Sequence, residues 1–331
     1  MQLLLKSSKT KETGIHCFNT KLRSLDFFTD ILKYNGCPIV NGCMNQPGDF
    51  EISFITSADG VRIGYRKIGH GPALILLHGG LQSSLNFTGL AKVLANDFTV
   101  YVPDRRGRGL SDAYRDDEGL EAESGDLLAL IRHTHAEHIF ALSSGAIITL
   151  QAAIKEPSLT KIALYEPPIR LQDDPFKKLG RDYEEAMRKG STGKAFITIM
   201  KNIDDTSFSL LTSLPAFITA PLVSLMARFQ AKSQYNAEHN LTELVPTFHY
   251  DLNIIRDSVK LLSHLGQVKG DVLLLEGGKS QPFLHQIIER LAASMPDAKH
   301  IKFPKQGHMA ADNIGDPQTV AVELLKFFGG K

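Results

Sequence analysis

Residues 138–150 read His-Ile-Phe-Ala-Leu-Ser-Ser-Gly-Ala-Ile-Ile-Thr-Leu, a short apolar run that breaks at two serines and a glycine and resumes as an apolar helix pattern. The pattern predicts a strand, a sharp turn and a helix. A serine held on so tight a turn needs small residues two positions to either side, and its hydroxyl then projects clear of the sheet. Here the frame is Ala141-Leu142-Ser143-Ser144-Gly145, with alanine where a glycine is usual, which makes Ser143 the candidate nucleophile. The same letters are accounted for by a plain helix N-cap in which Ser143 or Ser144 accepts a backbone N–H. The surrounding chain decides between the two.

Upstream, 73–77 is a continuously apolar strand of the kind buried in a parallel sheet, and it runs straight into His78-Gly79-Gly80. A hairpin over 51–56 and 61–67 precedes it, turning at Ser-Ala-Asp-Gly. A helix follows near 85–94, then a strand at 98–102 that ends in Pro-Asp-Arg-Arg-Gly-Arg-Gly-Leu-Ser-Asp. Residues 120–134 are helical, with Leu127, Leu130 and Ile131 on one face. Downstream of the quoted stretch, 159–164 is another apolar strand, ending Tyr165-Glu166-Pro167-Pro168. The alternation of strand and helix then stops for about a hundred residues of helical texture. It resumes with strands at 272–275 and 300–303, each followed by a helix, the second after the loop Pro-Lys-Gln-Gly-His308. The expected architecture is an α/β fold with a mostly parallel eight-stranded sheet flanked by helices. Its core covers 51–169 and 270–331. An inserted helical cap at 170–269 lies over the carboxyl ends of the strands, and residues 1–50 form an N-terminal extension.

Composition narrows the classes. The 331 residues carry a formal charge of +1 with no long basic run, so neither nucleic acid nor an anionic membrane is an expected partner. The three leucines near the N-terminus are too short an apolar core for a secretory signal, and the expected location is the cytoplasm. Cys17, Cys37 and Cys43 all lie in the extension, so no disulfide framework is expected in the main fold; with His16 their spacing matches no common zinc pattern. Residues 209–229 approach the length of a membrane span, but Pro215, Pro221 and scattered Ser and Thr point to a buried or pocket-lining helical segment. The aromatics Phe196, Phe208, Phe217, Phe229, Phe248 and Tyr250 are read as the core of the inserted helices. His133, His135 and His138 fall at the other end of the elbow strand and are read as surface histidines. Gly69-His70-Gly71 precedes a strand, not a helix, and lacks the context of a phosphate loop.

Four separated landmarks stand in an order that resembles the α/β-hydrolase superfamily over roughly residues 51–331: His-Gly-Gly at 78–80, Asp-Arg-Arg-Gly-Arg-Gly-Leu-Ser-Asp at 104–112, the turn at Ser143, and Gln-Gly-His at 306–308. The resemblance implies Ser143 as nucleophile and His308 as base. It also implies oxyanion donors from the backbone N–H of Ser144 and of Gly80 or Leu81. His78 and Asp104 look structural in this family. No cofactor or metal is implied.

One position departs from the family. Most relatives carry an aspartate shortly after the strand that ends here at Leu275, and this chain has Ser280 in that slot. A serine has no charge with which to orient an imidazole. Glu166, at the end of the strand after the elbow, is the expected replacement, because adjacent strands lie only about 4.8 Å apart. Some members of the superfamily, including fungal lactonases that open a mycotoxin macrolactone, use a glutamate at that place. Glu276 is the rival, and a merely solvated carboxylate is the bland account of either. The expected function is a serine hydrolase that cleaves a small hydrophobic ester or lactone through an acyl-enzyme. The competing class is a ligand-binding receptor or pseudoenzyme on the same fold. A homodimer is the oligomer left open.

Overall fold

The computed structural model describes residues 50–115, 119–171, 175–203, 209–231 and 240–329. Apart from Phe50, the expected extension and its three cysteines lie outside the described residues, as does Phe208.

The first hairpin pairs β1 (Glu51–Thr56) with β2 (Arg62–Ile68), antiparallel, and turns at Gly60, whose φ of 86° is left-handed. Then come β3 (Ala73–Leu77), α1 (Thr88–Leu94), β4 (Thr99–Pro103), α2 (Leu120–Thr134), β5 (His138–Leu142), α3 (Ser144–Lys155) and β6 (Lys161–Tyr165). Six helices follow: α4 (Phe176–Arg188), α5 (Thr192–Ile203), α6 (Ser209–Ser213), α7 (Ala216–Ala231), α8 (Leu241–Leu244) and α9 (Phe248–Asp257). The chain closes with β7 (Asp271–Gly277), α10 (Pro282–Ser294), β8 (Lys299–Phe303) and α11 (Pro317–Gly329). The eight strands form one sheet in the order β1-β2-β4-β3-β5-β6-β7-β8, with every pairing from β4 to β8 parallel. The α/β architecture expected from the alternation is therefore present, with strand ends moved by one or two residues.

The central strands are apolar on both faces because helices cover both faces. Leu74, Leu76, Phe140, Leu142, Tyr165 and Leu275 share one buried cluster with Leu90, Val320, Leu324 and Phe328 of α1 and α11. Register carries this packing to the site. Leu142 pairs with Tyr165 and Tyr165 with Leu275, so the next residues, Ser143, Glu166 and Glu276, emerge side by side at the carboxyl edge of three neighbouring strands.

Two expectations for the inserted helices need correction. The stretch 209–229 is not one buried segment. It breaks at Pro215 into α6 and α7, and α7 buries its small side (Ala220, Val223, Ala227) while Phe217 stands 79% exposed beside Ile218 and Leu225. A helix apolar all round cannot hide every face against one neighbour. Phe217 is consequently no core residue, whereas Phe196 and Phe248 are buried and Tyr250 stacks on Tyr114. No helix among the described residues is long and apolar enough to cross a membrane.

Candidate active site

Ser143 sits between β5 and α3 with φ 56° and ψ −127°, a conformation that L-residues avoid. It does not act as a side-chain N-cap. Its N–H donates to the Tyr165 carbonyl at 2.9 Å, which pins the turn to the neighbouring strand. The small frame is a steric requirement at its second end. A Cβ on Gly145 would lie 2.5 Å from the His78 carbonyl oxygen and 2.8 Å from that of Leu77. The helix can thus start close above β3 only if residue 145 has no side chain.

Glu166 and His308 meet. His308 Nδ1 lies 2.6 Å from Glu166 Oε2, and Glu166 Oε1 accepts from the Gly277 N–H at 2.7 Å. Both residues are buried. A carboxylate only accepts, so Nδ1 carries the proton and Nε2 is the ring nitrogen left for chemistry. Glu166 turns away from its strand with φ 44°, a second left-handed residue without glycine's freedom. The histidine loop is anchored as well, because the Tyr165 hydroxyl donates to the Gly307 carbonyl at 2.8 Å.

Glu276 goes elsewhere. It remains within β7, opposite Lys302 of β8, and shares the face of that cross-strand partner. Lys302 Nζ lies 3.0 Å away, His285 Nδ1 2.8 Å and His300 Nε2 3.4 Å. Burial raises its pKa, but the bonds from His285 and Lys302 outweigh that and hold it below the ordinary glutamate value. Ser280 is buried, and its hydroxyl has no hydrogen-bond partner among the described residues.

The loop after β3 is fixed from several sides. The Gly79 N–H donates to Gln82 Oε1 at 2.8 Å, so that amide is occupied and the next two, Gly80 and Leu81, are the remaining candidates for an oxyanion. Leu81 has φ 59°, a third left-handed non-glycine residue in this region. Gln82 Nε2 reaches Asp312 Oδ2 at 2.6 Å, tying the loop to the segment just after His308. His78 bridges loops: the Arg105 N–H donates to Nε2 at 3.2 Å, which leaves Nδ1–H to donate to the Gly79 carbonyl at 2.9 Å. Asp104 binds Arg66 at 3.1 Å and the N–H groups of Ser84 and Leu110; its burial raises its pKa despite them. Ser144 is the first residue of α3, where a backbone N–H has no intrahelical acceptor. No group of three or more potential metal ligands occurs among the described residues, and His138 stacks on Phe328 at the far end of the sheet.

The sequence reading missed a buried ionic cluster beside the elbow. Arg105 binds Glu123 through Nε at 2.5 Å and Nη2 at 2.7 Å, and its Nη1 reaches Asp251 of α9 at 2.9 Å. Arg108 Nη2 meets the other oxygen of Asp251 at 2.6 Å. A signal existed: Asp251 shares the buried face of α9 with Phe248, Ile254 and Ile255, and an acid at such a position demands a partner.

A serine on a strained strand-to-helix turn and a histidine oriented by a buried carboxylate define a class of fold and site together. The model of the alpha/beta hydrolase fold family matches residues 72–313, and the chain belongs to that family. Among curated proteins it is 38% identical over 118 residues to an uncharacterized hydrolase of Bacillus subtilis (strain 168), covering 34% of this chain and 43% of that one. It is 35% identical over 118 residues to an N-formylmaleamate deformylase of Pseudomonas putida, covering 34% and 44%. The chain thus spans less than half the length of these two relatives. Among solved structures, an alpha/beta hydrolase from Sphaerobacter thermophilus DSM 20745 superposes with a TM-score of 0.65 at 25% identity, covering 83% of this chain and all of the other.

Proposed function

We propose that the chain is a serine hydrolase that cleaves a small hydrophobic carboxylic ester or lactone, with Ser143, His308 and Glu166 as its triad. The observation that carries this reading is the 2.6 Å contact from His308 Nδ1 to the buried Glu166 carboxylate, one strand from the elbow. His308 Nε2 takes the Ser143 proton as Oγ attacks the carbonyl carbon. The N–H groups of Ser144 and of Gly80 or Leu81 hold the oxyanion that forms. Collapse expels the alcohol, which takes the proton from His308 and leaves an acyl-Ser143. Water, deprotonated by the same imidazole, then releases the acid and restores the serine. Glu166 stays ionised throughout and stabilises the imidazolium. The helices within 170–269 serve as a cap over this site, on a core formed by 51–169 and 270–331.

An uncharged substrate suits the electrostatics, because Arg105 and Arg108, which bond Ser144 Oγ and the Gly79 carbonyl beside the elbow, are already matched by Glu123 and Asp251. The similarity to a deformylase favours a second reading, in which the acyl group leaves a nitrogen and not an oxygen. The same triad serves both, and a panel of esters, lactones and N-acyl compounds ranks them. The decisive experiment for the class is labelling by a fluorophosphonate. The wild-type chain should label at Ser143 and Ser143→Ala should not. A chain that neither labels nor hydrolyses any member of the panel would leave a receptor on a hydrolase fold.

A further inference from the structure

The chemistry above leaves the ionic cluster beside it unused, although the cluster touches both halves of the oxyanion hole. Asp251 comes from α9, 143 residues after Arg108, and is buried at 1% exposure. Its Oδ1 accepts from Ser144 Oγ at 2.7 Å and from Arg105 Nη1 at 2.9 Å; its Oδ2 accepts from Arg108 Nη2 at 2.6 Å. Arg108 gives its other amino group to the Gly79 carbonyl at 3.0 Å and its Nε to Thr247 Oγ1 at 3.0 Å. A Cβ on Gly80 would stand 3.0 Å from Asp251 Oδ2, so the carboxylate rests directly on the backbone of the loop.

Those contacts fall on the two places where oxyanion donors are expected. Ser144 supplies one amide, and its side chain is held by Asp251 and Arg105. On the loop after β3 the candidates are the Gly80 and Leu81 amides, and the peptide between Gly79 and Gly80 supplies the first of them. Because a trans peptide is planar, holding the Gly79 oxygen fixes the direction of the Gly80 N–H on its far side. Asp251 reaches the residue of the first donor through its side-chain hydroxyl and the Gly80 amide through Arg108.

We propose that Asp251 is a positioning residue for the oxyanion hole, so that the seating of α9 and the alignment of both donors are a single event. This rests on the serine-hydrolase reading. A simple structural latch between α9 and the sheet would make the same ion pairs, but its loss would lower stability without selectively weakening the transition state. The positioning role predicts the opposite: ground-state binding survives and the tetrahedral adduct is destabilised.

The test uses the full chain, p-nitrophenyl butyrate as substrate and phenylboronic acid as a mimic of the tetrahedral adduct on Ser143. In Asp251→Asn, kcat should fall roughly ten- to a hundredfold with KM within about threefold, and the boronate inhibition constant should rise in step with the loss in kcat. Ser144→Ala removes the hydroxyl that bonds both Asp251 and Arg105 and leaves the carboxylate paired with both arginines; it should lose about three- to tenfold in kcat and in boronate affinity. Lys161→Met is the control. It deletes a 3.1 Å bond to the Phe328 carbonyl at the opposite end of the sheet and should leave kcat within about twofold. Wild-type kcat and boronate affinity in Ser144→Ala overturn the proposal, whether or not Asp251→Asn folds. A loss of kcat in Asp251→Asn with boronate binding untouched also overturns it. Wild-type protein that neither labels with fluorophosphonate nor turns over the ester sinks the hydrolase reading and this proposal with it. An active wild type with indifferent variants sinks the proposal alone.

Discussion

Replacing Glu166 by glutamine tests the triad most sharply, because the change is nearly isosteric and its cost follows from the geometry. In the native site one carboxylate oxygen accepts from His308 Nδ1 at 2.6 Å and the other from the Gly277 N–H at 2.7 Å. A glutamine can offer an acceptor to only one of these donors. If its oxygen faces Gly277, its amino group faces Nδ1, and the imidazole must move that proton to Nε2, where it can no longer take one from Ser143. The imidazolium of the transition state also loses its counter-charge. At a charge separation of about 4 Å and an effective dielectric near 20, that attraction is worth about 4 kcal/mol, or roughly a thousandfold in rate. With the tautomer penalty added, kcat for ester hydrolysis should drop by about a thousand- to ten-thousandfold, with KM changed little. Glu276→Gln serves as the paired measurement, because its carboxylate faces Lys302, His285 and His300. It should change kcat by less than about threefold. The reasoning is refuted if Glu166→Gln keeps more than about a tenth of wild-type kcat, or if Glu276→Gln loses more than about a hundredfold.

Other perturbations probe the scaffold. Gly145→Ala drives a methyl group against the Leu77 carbonyl at the end of β3 and the His78 carbonyl just beyond it, both backbone atoms and not flexible side-chain ends. A loss of about 3 kcal/mol or more in a denaturant titration is expected, and an unchanged midpoint would contradict the close helix start. Acid stability reports on Asp251. Burial raises its pKa, but Arg108 and Arg105, together with the bonds from Ser144 and Arg105, more than offset this and leave it below the ordinary 3.8. A carboxyl depressed on folding contributes stability that is complete above its unfolded value and disappears as pH falls through the folded one. Asp251→Asn should therefore flatten the fall in melting temperature below about pH 4, and a fall as steep as wild type would count against the pairing.

The parts of this fold that could be read from the sequence are those governed by local rules. The strand Ala73–Leu77 and the helix Leu120–Thr134 fall where apolar runs and helical spacing put them, because their burial follows from neighbours a few residues away. The same holds for the letters of the elbow, which fall within five residues, although the carbonyls that require Gly145 to be small belong to the distant residues Leu77 and His78. Glu166 and Glu276 were harder to separate. Both follow residues paired at the same register, Tyr165 and Leu275, and what distinguishes them is backbone direction: Glu166 turns off with a positive φ while Glu276 stays in its strand beside Lys302. Nothing in composition announces that turn. The partners of Asp251, and the Gln82 to Asp312 bond, were unreadable for another reason. The paired side chains lie 107 to 230 residues apart, and side-chain pairing over such distances leaves no spacing pattern. The exposure of Phe217 shows the converse limit, since an apolar letter states a preference for burial without supplying the surface that would satisfy it.

Only four non-glycine residues among those described take a positive φ, and three of them, Leu81, Ser143 and Glu166, belong to the proposed oxyanion loop, nucleophile and acid. Each such conformation costs of order 1–3 kcal/mol and persists because surrounding contacts over-determine it. This has an evolutionary consequence. Under selection for heat resistance alone, with no demand for turnover, these positions are among the easiest places in the chain to gain stability, through glycine or asparagine, and the survivors would be robust and inert. Under selection for turnover the same three codons should resist change more firmly than the core. A library sequenced after each regime would separate the two pressures position by position, without any knowledge of the natural substrate.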